Sequence, residues 1–388
     1  MESLNIAFYT DSFLPAKDGV VTSILNFRQE LERRGHNVYI FASGERRITS
    51  RKDNVFIIKG VKFKKYPQYN LAIFPFFSSV YIRDVKLDVA HVQTPFTMGL
   101  YGLMHAKMNK IPVAGSFHTH FSNKSVIQEY TSDNKTISKF MIKYAWKYAR
   151  FFYRKCDEVI APSESTKEIL IKKHIKNVTV VPNSVDLKKF NPQVSGTAMR
   201  NRLLKSRKND RMVLYMGRLS KEKKVDIMIK AAKLLKNEDI TFVIGGTGPA
   251  AEYYQNMVNR MHLNNKIKFI GFVPQEKLPQ LYAASDLLCM PSTFETQGVV
   301  AVEAMATGKP VVAANYLALK ELVVNGRNGE KFKANDPAGC ARKIERVIYN
   351  LDSYKGMFNT AKRYSIERTT DDLLNVYRRI INEQASYT

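Results

Sequence analysis

Met212-Val213-Leu214-Tyr215-Met216-Gly217-Arg218-Leu219-Ser220-Lys221-Glu222-Lys223 begins as a short apolar run and breaks at a glycine into a charged turn. A run of that length, closed by turn residues, reads as a buried strand. Val225 to Lys236 follows with helical periodicity, and Thr241 to Ile244 is strand-like again. The alternation continues with helix Ala250 to Met261, strand Ile267 to Ile270, helix Gln275 to Ala283, strand Leu287 to Met290, helix Val299 to Thr307 and strand Pro310 to Ala313. Alternation of this kind predicts right-handed βαβ units and a parallel sheet.

The same rhythm runs through the first half. Strand-like runs are Asn5 to Tyr9, Val38 to Ala42, Val55 to Ile58, Val89 to Val92, Val113 to Phe117, Glu158 to Ala161 and Val178 to Val181. A helix over Val20 to Arg34 closes at Gly35. Residues 191–210 turn polar, with Gly and Lys, and read as a linker. The fold class is therefore α/β, two doubly wound Rossmann-like domains over residues 1–195 and 196–365. A C-terminal helix over 366–388 is free to pack back on the first domain. Such folds bind ligands outside the carboxyl ends of their strands, so a cleft between the two domains is the default active site.

Composition bounds the rest. The chain has 388 residues and 45% hydrophobic content, enough for two cores and against wholesale disorder. No apolar run approaches the roughly 18 residues that cross a bilayer. The first residues lack the layout of a signal peptide, and Cys156, Cys289 and Cys340 have neither metal-ligand nor disulfide spacing; the cytosol is the expected compartment. The net charge is +26, with +14 of it in residues 1–190, so the excess is no tail. Such a surplus points to a polyanionic partner, either nucleic acid or an anionic membrane surface.

Chemistry concentrates in Phe294-Glu295-Thr296-Gln297-Gly298-Val299-Val300-Ala301-Val302-Glu303-Ala304-Met305-Ala306-Thr307-Gly308-Lys309-Pro310. Glu295 precedes the expected helix and Glu303 lies in it. Eight residues is slightly more than two turns, so both carboxylates can project to a similar side. Glu303 sits among small apolar neighbours, where a carboxylate is costly unless hydroxyls or a cation meet it. A sugar supplies hydroxyls; the plain alternative is a solvated helix face. At the exit of the strand quoted first, helix amides, the Arg218 fork and the Lys223 point charge make a site for a pyrophosphate, against the alternative of a basic surface loop.

Glu-x7-Glu followed by Ala-Met-Ala-x-Gly-Lys-Pro-Val-Val resembles the signature of retaining glycosyltransferases of family 4, with the GT-B fold, and the resemblance extends from Asn5 to about Asn382. It implies that Glu295 contacts the transferred hexose and Glu303 the nucleotide ribose. Gly217-Arg218-Leu219 with Glu222-Lys223 matches the family's pattern for holding the donor diphosphate, although the family usually has Gly where Lys224 stands here. The resemblance places Gly246, within Ile244-Gly245-Gly246-Thr247-Gly248-Pro249, on the floor of the donor pocket. It makes Phe272 and Val273 candidates for reading the base, and it brings Thr296, Gln297 and Gly298 into the donor site. No Asp-x-Asp occurs in the chain, in keeping with a diphosphate held by cations and with no metal or other cofactor.

In the first domain, Gly19 lets the backbone approach a phosphate at the start of helix Val20 to Arg34; read plainly, it is a turn glycine. His118, in Ser116-Phe117-His118-Thr119-His120, stands at a strand exit, where a histidine can bond a sugar hydroxyl, carry a proton or merely satisfy local backbone. The resemblance places a histidine here beside the reacting sugar, matching His118 better than His120. Pro182-Asn183-Ser184-Val185-Asp186 also matches the family.

The basic surface has two concentrations. Residues 46–65 hold Arg46, Arg47, Arg51, Lys52, Lys59, Lys62, Lys64 and Lys65 against Asp53 alone. Lys135, Lys139, Lys143, Lys147, Arg150 and Arg154 recur every three or four residues, forming a helical stripe of roughly 120° with Trp146 along its edge. Such a helix suits an anionic membrane, its alternative being a solvated face with the aromatics in the core. No nucleic-acid-binding module is recognised, and the carboxylate pair would repel phosphates, so no nucleic acid partner is expected. A doubly wound oxidoreductase would require Gly-x-Gly-x-x-Gly after its first strand, which is missing.

These readings converge on hexose transfer from a nucleotide sugar. Asp-Gly-Val-Val-Thr-Ser-Ile at Asp18 to Ile24 and Glu-Thr-Gln-Gly at Glu295 to Gly298 resemble diacylglycerol glucosyltransferases. That likeness implies UDP-glucose as donor, a lipid acceptor, and an enzyme peripheral on the cytoplasmic face of the membrane. The runner-up is a mannosyl- or other hexosyltransferase acting on a soluble or lipid-linked sugar.

Overall fold

The computed structural model describes residues 3–16, 18–50, 52–63, 66–72, 85–118, 135–207, 210–236 and 239–386. The chain divides into two compact units, Met1–Ser184 with Ile366–Thr388, and Val185–Ser365. The boundary thus falls ahead of the polar stretch read as a linker, whose residues from 191 onward belong to the second unit.

The first unit is built on a nine-stranded sheet among the described residues, ordered β3-β4-β2-β1-β6-β7-β8-β9 with β5 on β4. Its strands are β1 (Asn5–Thr10), β2 (Asn37–Gly44), β3 (Ile48–Ser50), β4 (Val55–Phe63), β5 (Tyr66–Ala72), β6 (Val89–Val92), β7 (Val113–Ser116), β8 (Glu158–Ala161) and β9 (Val178–Val180). From β4 to β9 the pairing is parallel; β1 lies between β2 and β6, with Ala7 opposite Tyr39 and Ala90. The expected all-parallel sheet is departed from at one edge, where β3 and β5 pair antiparallel with β4. The basic segment 46–65 is largely this ribbon. Arg46, Arg47, Lys52, Lys59 and Lys62 are exposed on it, while Arg51, Lys64 and Lys65 lie outside the described residues, as does His120.

Helices cover both faces. On one lie α2 (Thr97–Met108) and α3 (Lys135–Tyr153), burying Met98, Tyr101, Leu103, Trp146, Phe152 and Tyr153; α4 (Glu164–Lys172) adds Leu170. On the other, α1 (Gly19–Arg33) meets the C-terminal helix α13 (Ile366–Ala385), whose Leu373, Leu374, Val376, Tyr377 and Ile380 join the core of the first unit. Arg34 ties the two helices, with Nη1 2.5 Å from Asp371 Oδ1 and Nη2 2.9 Å from the Glu367 carbonyl.

The second unit has one six-stranded sheet among the described residues, ordered β12-β11-β10-β13-β14-β15 and parallel throughout. Its strands are β10 (Arg211–Met216), β11 (Ile240–Gly245), β12 (Ile267–Gly271), β13 (Leu287–Met290), β14 (Val311–Ala314) and β15 (Gly329–Phe332). Helices α5 (Thr197–Leu204), α6 (Val225–Leu234), α7 (Ala251–Arg260), α8 (Leu278–Ala284), α9 (Val299–Ala306), α10 (Leu317–Leu322), α11 (Pro337–Ile348) and α12 (Met357–Lys362) accompany it. Here the parallel reading holds without exception. In both units the strand order reverses beside the first strand, at β1/β6 and at β10/β13, and such switch points open a crevice at the carboxyl ends of the strands.

Candidate functional site

Two loops leave the switch point of the second unit. One runs from Gly217 to Lys224 after β10, the other from Pro291 to Gly298 after β13. Lys223 joins them: its Nζ is 2.8 Å from Glu295 Oε1 and 3.2 Å from the Phe294 carbonyl, and the Thr293 amide donates to the Glu222 carbonyl. Both side chains of the ion pair are mostly buried, at 20% and 14% exposure. Arg218 is exposed on the same loop, and its carbonyl accepts from the Tyr215 hydroxyl at 3.1 Å. Lys224, where the resembling family has Gly, takes φ +54° and ψ +36°. The left-handed turn a glycine would adopt is therefore made by a lysine, a conformation that disfavours most side chains.

Gly246 stands at φ +120°, and a Cβ there would lie 1.9 Å from the Gly217 carbonyl oxygen. Only glycine lets the β10 and β11 exit loops approach so closely. Gly298 heads α9 at φ +84°, with Leu319 of α10 against it. Thr296 is half-buried and Gln297 buried beside Glu295; Val273 is half-buried after β12, and Phe272 is 63% exposed there.

Glu303 occupies α9 as expected, buried among Val302, Ala304 and Met305. The hydroxyl that meets it is Tyr282 of α8, which donates to Oε2 at 2.7 Å. Burial pushes its carboxyl up to about 7, against the opposing Tyr282 bond and the positive charge of Lys189. Glu295 and Glu303 thus have separate partners, and Tyr282, invisible in the sequence pattern, is the residue that makes a buried Glu303 tolerable.

In the first unit, Gly19 is the first residue of α1, with open space where a Cβ would stand. The cap is Asp18, whose Oδ1 accepts from the Val21 amide at 2.9 Å and whose Oδ2 accepts from the Ser12 hydroxyl. One amide offered to a phosphate by the sequence reading is therefore already engaged by a carboxylate. His118 leaves β7 half-buried, its Nε2 2.8 Å from Gln93 Oε1, and Asn183 also bonds the ring. Burial pushes His118 down to about 4, against that Asn183 bond, so the ring is neutral near pH 7. Among the described residues no group of three or more His, Cys, Asp and Glu is placed to hold a metal ion.

The stripe on α3 needs one correction. Trp146 does not face outward: it is buried, stacked on Phe117 with ring centroids 6.4 Å apart and planes at 9°, and Lys173 lies over its ring. The outward face instead carries Phe140, Met141, Tyr144 and Phe151 between the exposed Lys139, Lys143, Lys147 and Arg154, with Arg150 half-buried. Lys135 starts the helix, and its side chain lies outside the described residues. Part of the alternative reading is realised, since Trp146, Phe152 and Tyr153 are core residues. Among the described residues no helix is long and apolar enough to cross a membrane.

Two Rossmann-like units, with cationic and carboxylate loops joined at a switch point, define the GT-B class of transferases that use a nucleotide sugar. A family model for glycosyltransferase family 4 matches residues 17–189, and one for glycosyl transferases group 1 matches residues 200–364. The chain belongs to these glycosyltransferases, and retention of anomeric configuration is consistent with its fold. Alpha-monoglucosyldiacylglycerol synthase of Streptococcus pneumoniae is 29% identical over 360 residues, covering 90% of this chain and 79% of that protein. A GDP-mannose-dependent alpha-mannosyltransferase of Corynebacterium glutamicum is 27% identical over 335 residues, covering 84% and 76%. The crystal structure of Anabaena HepE in complex with UDP and glucose shares the fold at a TM-score of 0.72 and 20% identity, over 97% of this chain and all of that one.

Proposed function

We propose that this enzyme transfers glucose, with retention, from UDP-glucose to a membrane lipid such as diacylglycerol, working peripherally on the cytoplasmic face of an anionic membrane. The observation that carries the donor half is the loop junction at the β10/β13 switch point, where Lys223 and Glu295 meet. Arg218 and Lys223 hold the diphosphate without a metal, Glu303 takes the ribose, and Glu295 orients the hexose. Gly246, Val273, Thr296, Gln297 and Gly298 shape the donor pocket. As the bond from the sugar to the diphosphate breaks, charge grows on the leaving oxygen, and the two cations stabilise it more than they do the substrate. The acceptor hydroxyl attacks on the face the diphosphate leaves, and its proton passes to the departing group. The family resemblance assigns His118, neutral near pH 7, to the reacting sugar as a hydrogen-bond partner.

Support for the lipid half comes from the outward face of α3, cationic and apolar together, and from the named product of the streptococcal relative. Incubation with a panel of nucleotide sugars and a lipid extract tests both halves. A glucolipid formed from UDP-glucose alone is the expected product. Transfer from GDP-mannose only, or to soluble sugars only, would replace this reading with the mannosyl alternative.

A further inference from the structure

At the switch point of the first unit, β6 ends at Val92 and hands the chain to Gln93, which is 2% exposed. Its backbone amide donates to the Tyr9 carbonyl of β1 at 2.8 Å. The residues that follow are clamped to Asp11 at the end of β1: the carboxylate accepts from Thr94 Oγ1 at 2.6 Å, Thr97 Oγ1 at 2.6 Å and the Met98 amide at 2.9 Å. The Tyr148 hydroxyl of α3 donates to the Pro95 carbonyl, closing the clamp from the other side. A wholly buried carboxylate is costly, and here its bonds hold one loop in place.

That loop presents the Gln93 amide to His118. With Gln93 Oε1 facing the ring nitrogen Nε2 at 2.8 Å, the contact selects the tautomer that carries its proton on Nε2, since an amide oxygen only accepts. Gln93 Nε2, by contrast, is buried with no hydrogen-bond partner among the described residues. Among the described residues, the contact with His118 is therefore the side-chain hydrogen bond that this buried amide makes. The geometry points to Gln93 as a positioning residue that, beside Asn183, holds the ring orientation and tautomer of His118. This inference rests on the catalytic reading of His118 given above. It extends the site to a residue that touches no substrate and follows the logic by which outer partners orient a working histidine.

The test uses the full-length enzyme with 15N-labelled histidine, its ring signals assigned through His118→Gln, and kinetics with UDP-glucose and diacylglycerol vesicles. Gln93→Met removes the acceptor at nearly constant length, Gln93→Asn withdraws it by one methylene, and Gln93→Glu keeps it. In Gln93→Met and Gln93→Asn, His118 should lose its pure Nε2–H signature, and kcat should fall about tenfold with the UDP-glucose KM unchanged. Gln93→Glu should keep Nε2 protonated, its charge favouring the imidazolium, and stay within about threefold of the parent kcat. The inference is overturned if either variant keeps the Nε2–H form, or keeps its kcat while His118→Ala loses more than about a hundredfold. If His118→Ala itself leaves kcat unchanged, the catalytic reading of His118 falls and takes this inference with it.

Discussion

Lys223 Nζ lies 2.8 Å from Glu295 Oε1, so the cation offered to the diphosphate is neutralised by the carboxylate offered to the hexose. On the roles proposed above, an entering donor exchanges partners with that pair, its diphosphate taking Lys223 and its sugar hydroxyls taking Glu295. Glu295→Gln releases the lysine while removing the hexose contact. UDP alone should then bind several-fold tighter, the worth of a partly buried ion pair being about 1 kcal/mol. Transfer should fall by about a hundredfold or more through loss of orientation. Calorimetry with UDP and a glycolipid assay read the two effects separately, and UDP affinity that drops in the variant would show that the pair does not compete with the donor.

If Arg218 and Lys223 act on the charge of the departing diphosphate as proposed, Arg218→Ala and Lys223→Ala should each raise the barrier by roughly 2–4 kcal/mol. Activity should survive EDTA. Loss in EDTA that magnesium restores would mean that a metal, not these two residues, neutralises the phosphates.

Glu303 titrates near pH 7 in the folded enzyme against an ordinary value of 4.5. Below pH 4.5 the group is protonated whether the chain is folded or not. Between 4.5 and about 7 only the folded chain holds the proton, so its contribution to stability is lost as pH rises through that window and is absent above it. Glu303→Gln should flatten this part of the dependence of the urea midpoint on pH. The donor KM should fall as pH rises through about 7, since the charged carboxylate accepts a ribose hydroxyl more strongly. In Glu303→Gln it should be flat and roughly tenfold higher. A variant whose KM tracks pH as the parent does would remove Glu303 from the ribose site.

Vesicles containing phosphatidylglycerol should sediment the enzyme, and Lys139→Glu with Lys143→Glu and Lys147→Glu should abolish this while leaving UDP binding intact. Each basic residue near an anionic surface is worth on the order of 1 kcal/mol, and binding should weaken steeply with salt. Trp146 emission should not shift on binding, because the ring is stacked in the core. Phe140→Ala and Tyr144→Ala, whose exposed rings lie 4.4 Å apart, should weaken docking without moving the melting temperature appreciably. Normal sedimentation of the triple variant would place the membrane contact elsewhere.

Much of the fold was legible in the sequence because parallel strands buried on both faces leave apolar runs of recognisable length, and alternating helices leave no other topology class. Gly246 and Gly298 stand where backbone shape demands glycine, and Glu303 stood out as a charge in an apolar helix. Less legible was the edge ribbon of β3, β4 and β5, whose polar, basic strands carry little periodic signal because half of such an edge faces water. The end of the first unit at Ser184 follows from contacts, which a composition shift near residue 191 does not report, whereas α13 joins that unit as the sequence allowed.

What the sequence alone determined is the set of local identities: two doubly wound units, the charged turn after β10, the carboxylates around α9 and the basic face of α3. Only tertiary structure decided who meets whom. Lys223 and Glu295 are 72 residues apart, and Gln93 and His118 are 25 apart, yet each pair closes within 2.8 Å because parallel strands deliver their exits to one end of the sheet. Periodicity gave α3 a stripe but not its rotation, since Phe140, Met141, Tyr144, Trp146, Phe151, Phe152 and Tyr153 put large apolar groups all round the helix. The sheet beneath selects the arc that is buried, taking Trp146, Phe152 and Tyr153 inward and leaving Phe140, Tyr144 and Phe151 to the outside.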